Sequence, residues 1–252
     1  MEIKTAVYSM PTFLASIAKL FPGLRSTICK IQAIQNADYC EYDGVHFRFD
    51  NQFMNRKRFV AIACGAIENE EVKIASKVIR EDDVVVEFGA GLGIAASRVN
   101  KICAPKKHIC FEANPLLENY AKQLFRENNL SIQFETLGLG NGNKLEFFAM
   151  KDYILSSFEM PEAGSDFEKI LVPTLTLDEI LSAHKPTVIF CDIEGAELSY
   201  FRSKMFEGVD KIIIELHPRV YGSEGLAAFQ SYMEGYNFAL KFKKGDTYCF
   251  IR

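Results

Sequence analysis

Apolar and polar positions fall into two alternating kinds of block over most of this chain. VVVEF (84–88), HICFEA (108–113), SIQFETLG (131–138), the shorter KLEFFAM (144–150), PTVIFCDIE (186–194) and KIIIELHP (211–218) are short apolar runs of strand length. Between them, residues 94–102, 116–128, 178–184, 197–205 and 225–234 carry the helical period. Strands that are apolar along their length are buried on both faces, which predicts a parallel sheet with helices on each side. FALKFKK (238–244) and TYCFIR (247–252), split by Gly245-Asp246, read as a closing antiparallel hairpin. The pattern before residue 80 differs. Phe13, Leu14, Ile17, Leu20 and Phe21 share a helical face ahead of Pro22-Gly23, YCEYDGVHFRFDN alternates about Asp43-Gly44 as a hairpin, and residues 57–79 read as one helix or two broken near Gly65. The expected organisation is an N-terminal helix and hairpin extension (1–80) before a ligand-binding α/β domain (81–252). The face at 11–21 can pack on that domain or on a second copy, so a homodimer through the extension is an expectation.

Composition narrows the function classes. The 252 residues are 48% hydrophobic and 25% charged, with a formal net charge of -4. An acidic balance argues against a nucleic-acid partner. No apolar run approaches the ~20 residues of a membrane span. The N-terminus lacks a charged leader followed by a compact apolar core, so a cytoplasmic protein is expected. The seven cysteines form no CxxC pair and several lie in strand-like runs, which reads as buried free thiols in a reducing compartment.

Candidate chemistry begins at the first strand of the α/β domain. Its turn reads Glu87-Phe88-Gly89-Ala90-Gly91-Leu92-Gly93. A dinucleotide fingerprint wants glycine where this chain has Ile94. An acid two residues before the first glycine suits a cofactor with an ammonium group better than one with phosphates, and S-adenosylmethionine is such a cofactor. Glu112 ends the second strand, where a carboxylate can accept from both ribose hydroxyls. Glu87, Gly89, Ala90, Gly91, Gly93, Glu112, Ala113 and Asp192 are the expected cofactor-binding residues.

Further along, Thr176-Leu177-Asp178 precedes Asp192-Ile193-Glu194-Gly195-Ala196-Glu197. In these segments the chain resembles the FkbM family of S-adenosylmethionine-dependent methyltransferases over roughly residues 84–220. The serines at 156 and 157 belong to the resemblance. Glu87 for Asp and Gly91 for Asn depart from the family's usual glycine turn. The resemblance implies the class I fold, a doubly wound, seven-stranded, mostly parallel Rossmann-like sheet. It also implies methylation of a hydroxyl on a sugar or another small molecule. A cofactor-binding scaffold without transfer activity is the alternative. Methylation of a nucleic-acid or protein amine fits less well, because no N-P-P-[YF] motif ends the fourth strand.

Methyl transfer from a sulfonium needs an aligned acceptor and benefits from a base. Asp192 and Glu194 are two apart, as are Glu215 and His217 on the next strand, so all four can face one pocket and are the expected catalytic residues. His217 can serve as base near its ordinary pKa. Asp192, Glu215 and His217 can alternatively hold a divalent cation, but so few protein ligands favour the metal-free arrangement. The sequence assigns no partner to His46, His108 or His184, which read as surface or structural.

Overall fold

The computed structural model describes residues 37–150, 156, 158, 160, 164, 166–201 and 206–252. The helix expected at 11–21, Ser157, and residues 202–205 of the helix expected at 197–205 lie outside the described residues.

Residues 37–42 and 46–67 cluster as one compact unit, and residues 43–45 and 68–252 as a second. The expected hairpin is present as β1 (Tyr39–Tyr42) and β2 (Val45–Arg48). Its turn residues Asp43 and Gly44 have φ 52 and 72, the paired left-handed conformations of a type I′ turn. Helix α1 (Arg56–Ala63) starts at Asn55, whose side chain accepts from the Arg58 N–H at 2.9 Å. Gly65 follows with φ 67, at the expected break. The next helix, α2 (Asn69–Val78), belongs to the second unit, so that unit starts ahead of residue 81.

The second unit is built on β3 (Val84–Phe88), α3 (Ile94–Cys103), β4 (Lys107–Glu112), α4 (Glu118–Glu127), β5 (Ile132–Thr136), α5 (Leu177–His184), β9 (Val188–Cys191), α6 (Glu197–Tyr200), β10 (Lys211–Glu215), α7 (Pro218–Gly235), β11 (Ala239–Lys244) and β12 (Thr247–Ile251). Seven strands form one sheet in the order β11-β12-β10-β9-β3-β4-β5. Neighbours from β10 to β5 are parallel, and β12 runs antiparallel between β10 and β11. One face packs Val86, Phe88, Ile109, Ile189 and Ile212 against Leu177 and Ile180 of α5 and Phe229 and Met233 of α7. The other packs Val85, Val188, Phe190 and Ile213 against Val72, Ile74 and Val78 of α2 and Val99 of α3. Burial on both faces is why these strands are apolar throughout. The chain leaves β3 for β4 on one side and later returns to β9 on the other, so the order reverses beside β3.

A separate three-stranded sheet, ordered β6-β8-β7, is made by β6 (Gly138–Leu139), β7 (Lys144–Met150) and β8 (Phe167–Leu175). The sequence reading assigned no strand to 167–175. Pro173 interrupts that run, and most of its side chains are exposed, so it lacks the apolar signature of the main sheet. Residues 131–138, read as one strand, divide into β5 and β6. Cys40, Cys64, Cys103, Cys110, Cys191 and Cys249 are free thiols, all buried except Cys64.

Candidate active site

The carboxyl ends of β3, β4, β9 and β10 meet where the strand order reverses. Gly89, Gly91 and Gly93 all adopt positive φ, at 77, 53 and 76. A Cβ at Gly89 would lie 1.6 Å from the carbonyl oxygen of Asp192, so glycine lets the ends of β3 and β9 touch. At Gly93 it would lie 2.6 Å from the Phe125 ring, so glycine lets α3 begin against α4. Gly91 donates its N–H to Glu112 Oε2 at 2.7 Å, and Asn114 donates to Oε1 at 2.7 Å. Ala113 adds a backbone hydrogen bond to the same carboxylate, and Ala90 is buried in the turn. Burial raises the Glu112 pKa against these three donors. Glu112 thus ties the second strand to the glycine turn, and these three donors leave its carboxylate one lone pair for a further donor.

Glu87 lies almost completely buried. Its Oε2 is 2.8 Å from His108 Nε2, and the Cys110 thiol also hydrogen-bonds to it. The sequence offered His108 no partner because the pairing crosses from β3 to β4. Glu87 also lines a cavity of ≈ 20 Å³ with Glu68, Glu71, Phe88, Gly89, Ala90, Ala95, Phe190 and Asp192. Four acids therefore surround the glycine turn, and two of them, Glu68 and Glu71, come from α2 and the residue before it.

The strand ends beyond this cavity carry the second cluster. His217 Nε2 lies 3.4 Å from Glu194 Oε2 and 3.9 Å from Asp192 Oδ1, and His217 Nδ1 lies 3.3 Å from Glu197 Oε1. Hydrogen bonds to Glu194 and then Glu197 push His217 up to about 11. The imidazole is an imidazolium at neutral pH, so it differs from the near-neutral base expected from sequence. Burial, followed by the neighbouring Glu215 and Glu194 carboxylates, raises Asp192 well above the usual carboxylate range. Burial also raises Glu215, which shares a hydrogen bond with Asp192. All four expected catalytic residues are therefore brought together.

Two residues that hold this cluster were not among the expected site residues. Glu197 is fully buried, and its Oε1 accepts from the N–H groups of Ile193 at 3.1 Å and Gly195 at 3.2 Å. Tyr221 donates its hydroxyl to Glu197 Oε2 and accepts the Glu197 N–H at 3.0 Å. Glu197 is the last acid of D-I-E-G-A-E, a visible signal. Tyr221 has none, because it arrives from α7 just before Gly222, whose non-helical φ/ψ of 63 and -179 breaks that helix.

The family model described as "Methyltransferase FkbM domain" matches residues 83–240, which include every strand end just described. The chain belongs to the FkbM methyltransferase family. Its seven-stranded, mostly parallel sheet is the doubly wound sheet of the class I fold. This FkbM methyltransferase is also 29% identical over 167 residues to a homoserine dehydrogenase from Neisseria gonorrhoeae, covering 54% of this chain. The chain spans 38% of the length of that curated relative. Among solved structures it is similar to a methyltransferase from Pyrococcus furiosus, at 14% identity over 92% of this chain and 98% of the other, with TM-score 0.47. TYW2 from M. jannaschii in complex with AdoMet gives 15% identity, 84% and 82% coverage and TM-score 0.45. A precorrin-6y C5,15-methyltransferase from Geobacter metallireducens gives 11%, 84% and 97%, and 0.46.

The residues of this FkbM methyltransferase can be compared with the S-adenosylmethionine expected from sequence. Gly89 and Gly93 let β9 and α4 close directly on the turn, and Glu68 Oε2 on the cavity wall beside it is buried with no hydrogen-bond partner among the described residues. Asp192, Glu194 and His217 each offer one ligand atom within 4.8 Å of the others, a set that can also hold a divalent cation. It replaces the Asp192, Glu215 and His217 set considered from sequence. An ion there has to displace the proton that His217 shares with its carboxylates.

Proposed function

We propose that this methyltransferase acts on a hydroxyl group of a small molecule, a sugar or a similar acceptor, and works without a metal. The observation that carries the reading is the convergence of Asp192, Glu194, Glu215 and His217 beside the glycine turn. S-adenosylmethionine, held by the glycine turn and Glu112, would supply a sulfonium methyl group, its C–S bond breaking as the acceptor's O–C bond forms. The acceptor's proton goes to a carboxylate of the chain. Asp192 is the proposed base, because His217 already carries its proton and a raised carboxylate pKa improves the match to a hydroxyl. His217, fixed between Glu194 and Glu197, orients the two carboxylates on its Nε2 side. The exposed Glu194 and half-buried Glu215 are acceptors for the donor groups of a polyhydroxyl substrate. In this reading Glu112 holds a hydroxyl of the cofactor's ribose through its remaining lone pair.

The test is turnover of isotopically methyl-labelled S-adenosylmethionine against a panel of sugars and other hydroxylated small molecules, read by mass spectrometry. Label on an acceptor oxygen is the expected result. Transfer only to nitrogen acceptors overturns the hydroxyl reading. Cofactor binding with no transfer to any metabolite extract returns the chain to the scaffold alternative.

A further inference from the structure

The acids around the cavity are not equivalent. Glu87 is committed to His108 at 2.8 Å and to the Cys110 thiol. Glu71 accepts the Thr247 hydroxyl at 2.8 Å. Asp192 has a buried oxygen without a partner but stands beside Glu215 and His217, on the acceptor side. Glu68 Oε2 is the other carboxylate oxygen on this wall without a partner among the described residues.

The position of Glu68 has no local explanation. It occupies the N-cap of α2, yet its side chain makes no capping hydrogen bond to that helix. Its φ of 49 is left-handed, a conformation that non-glycine residues adopt uncommonly. Buried Arg98 helps hold it there. Arg98 donates to the Glu68 carbonyl at 3.3 Å and to Asn69 Oδ1 at 3.3 Å, and pairs with Asp43 at 2.9 Å. The Glu68 carboxylate instead faces the first turn of α3, where the Ala95 backbone hydrogen-bonds to it. Burial, then the Glu87 and Glu71 carboxylates, push it up to about 8 despite the nearby Arg98. Such a group calls for a cation with hydrogens to donate, and an ammonium group has three.

From this placement we infer that Glu68 anchors the α-ammonium group of the cofactor's methionine arm, an assignment that rests on the S-adenosylmethionine reading above. Residues 68–71 then complete the cofactor site from outside the strand–turn–helix unit that carries the glycines.

The experiment measures binding by calorimetry for the wild type and Glu68→Gln, each with S-adenosylmethionine and with 5′-methylthioadenosine, which lacks the amino-acid arm. Losing one charge-assisted contact should weaken S-adenosylmethionine binding about tenfold or more. Affinity for 5′-methylthioadenosine should stay unchanged. Equal S-adenosylmethionine affinity in the two proteins overturns the inference, as does a parallel loss for both ligands, which makes Glu68 a support for the turn. A wild type that binds neither ligand overturns the cofactor reading itself. If Glu68→Gln does not fold, Glu68→Asp shortens the side chain and keeps its charge. The same selective loss is then expected, and unchanged binding overturns the inference.

Discussion

In the proposed reaction Asp192 and His217 divide the work at the strand ends by their protonation. Asp192 is active as a base only when ionised. Its raised pKa therefore places the loss of activity, as pH falls, above the usual carboxylate range. Asp192→Asn should lower kcat by about a hundredfold or more and flatten that acid limb, measured as kcat against pH. An unchanged profile would move the base elsewhere. The sign for His217 is opposite. Its folded-state pKa is about 11 against an ordinary 6.5, so the stabilisation from its ion pairs is complete below 6.5 and fades as pH rises toward 11. Urea unfolding at several pH values should show His217→Gln losing less stability than the wild type over that window. EDTA should leave turnover unchanged, and full loss restored by an added cation would install the Asp192, Glu194 and His217 set as a metal site. The four strand-end groups were legible because i, i+2 spacing in an extended chain puts them on one side. Glu68, Glu71 and Tyr221 were not, because each joins the cluster from a distant segment and nothing beside it in sequence marks the meeting.

The loop from Asp192 to Glu197 has its shape set by its neighbours as much as by its own residues. Glu194 itself has φ 54, and Gly195 has φ 103. Glu197 gathers the loop's N–H groups, and Tyr221 holds Glu197 from α7. Tyr221→Phe leaves a buried carboxylate oxygen and an N–H short of a partner, an expected cost of ~1–3 kcal/mol in urea unfolding. Its kcat should fall with it, since His217 is fixed by the same carboxylate. Gly89→Ala should be more severe, because its Cβ meets the Asp192 backbone at 1.6 Å and its φ is 77. Loss of about 3 kcal/mol or more, or failure to accumulate folded protein, is expected in the same assay. The buried strands of the main sheet were legible from their uninterrupted apolar runs. β8 was not, because a strand in a small, half-solvated sheet is stabilised by its pairing with β7 and carries little apolar signal of its own.

Seven strands in one sheet place the candidate cofactor residues of β3 and β4 and the proposed acceptor-side residues of β9 and β10 along one continuous edge of strand ends. Among the described residues no helix is long and apolar enough to cross a membrane. The outermost strand, β11, is exposed along its length and carries Lys241, Lys243 and Lys244, charges that discourage pairing with another edge. The final hairpin was legible as a hairpin, but its insertion was not, because adjacency between β10 and β12 depends on residues more than thirty positions apart. That insertion has a consequence in time. A ribosome releases β10 and then β11, yet the two are not neighbours in the finished sheet, because β12 lies between them. Until residues 247–251 emerge, Glu215 stands at an open border, and Glu71 lacks the Thr247 hydroxyl it will accept. Glu215 on the acceptor side and Glu71 beside the glycine turn therefore meet their final neighbours only after residues 247–251 have emerged, long after the glycine turn itself.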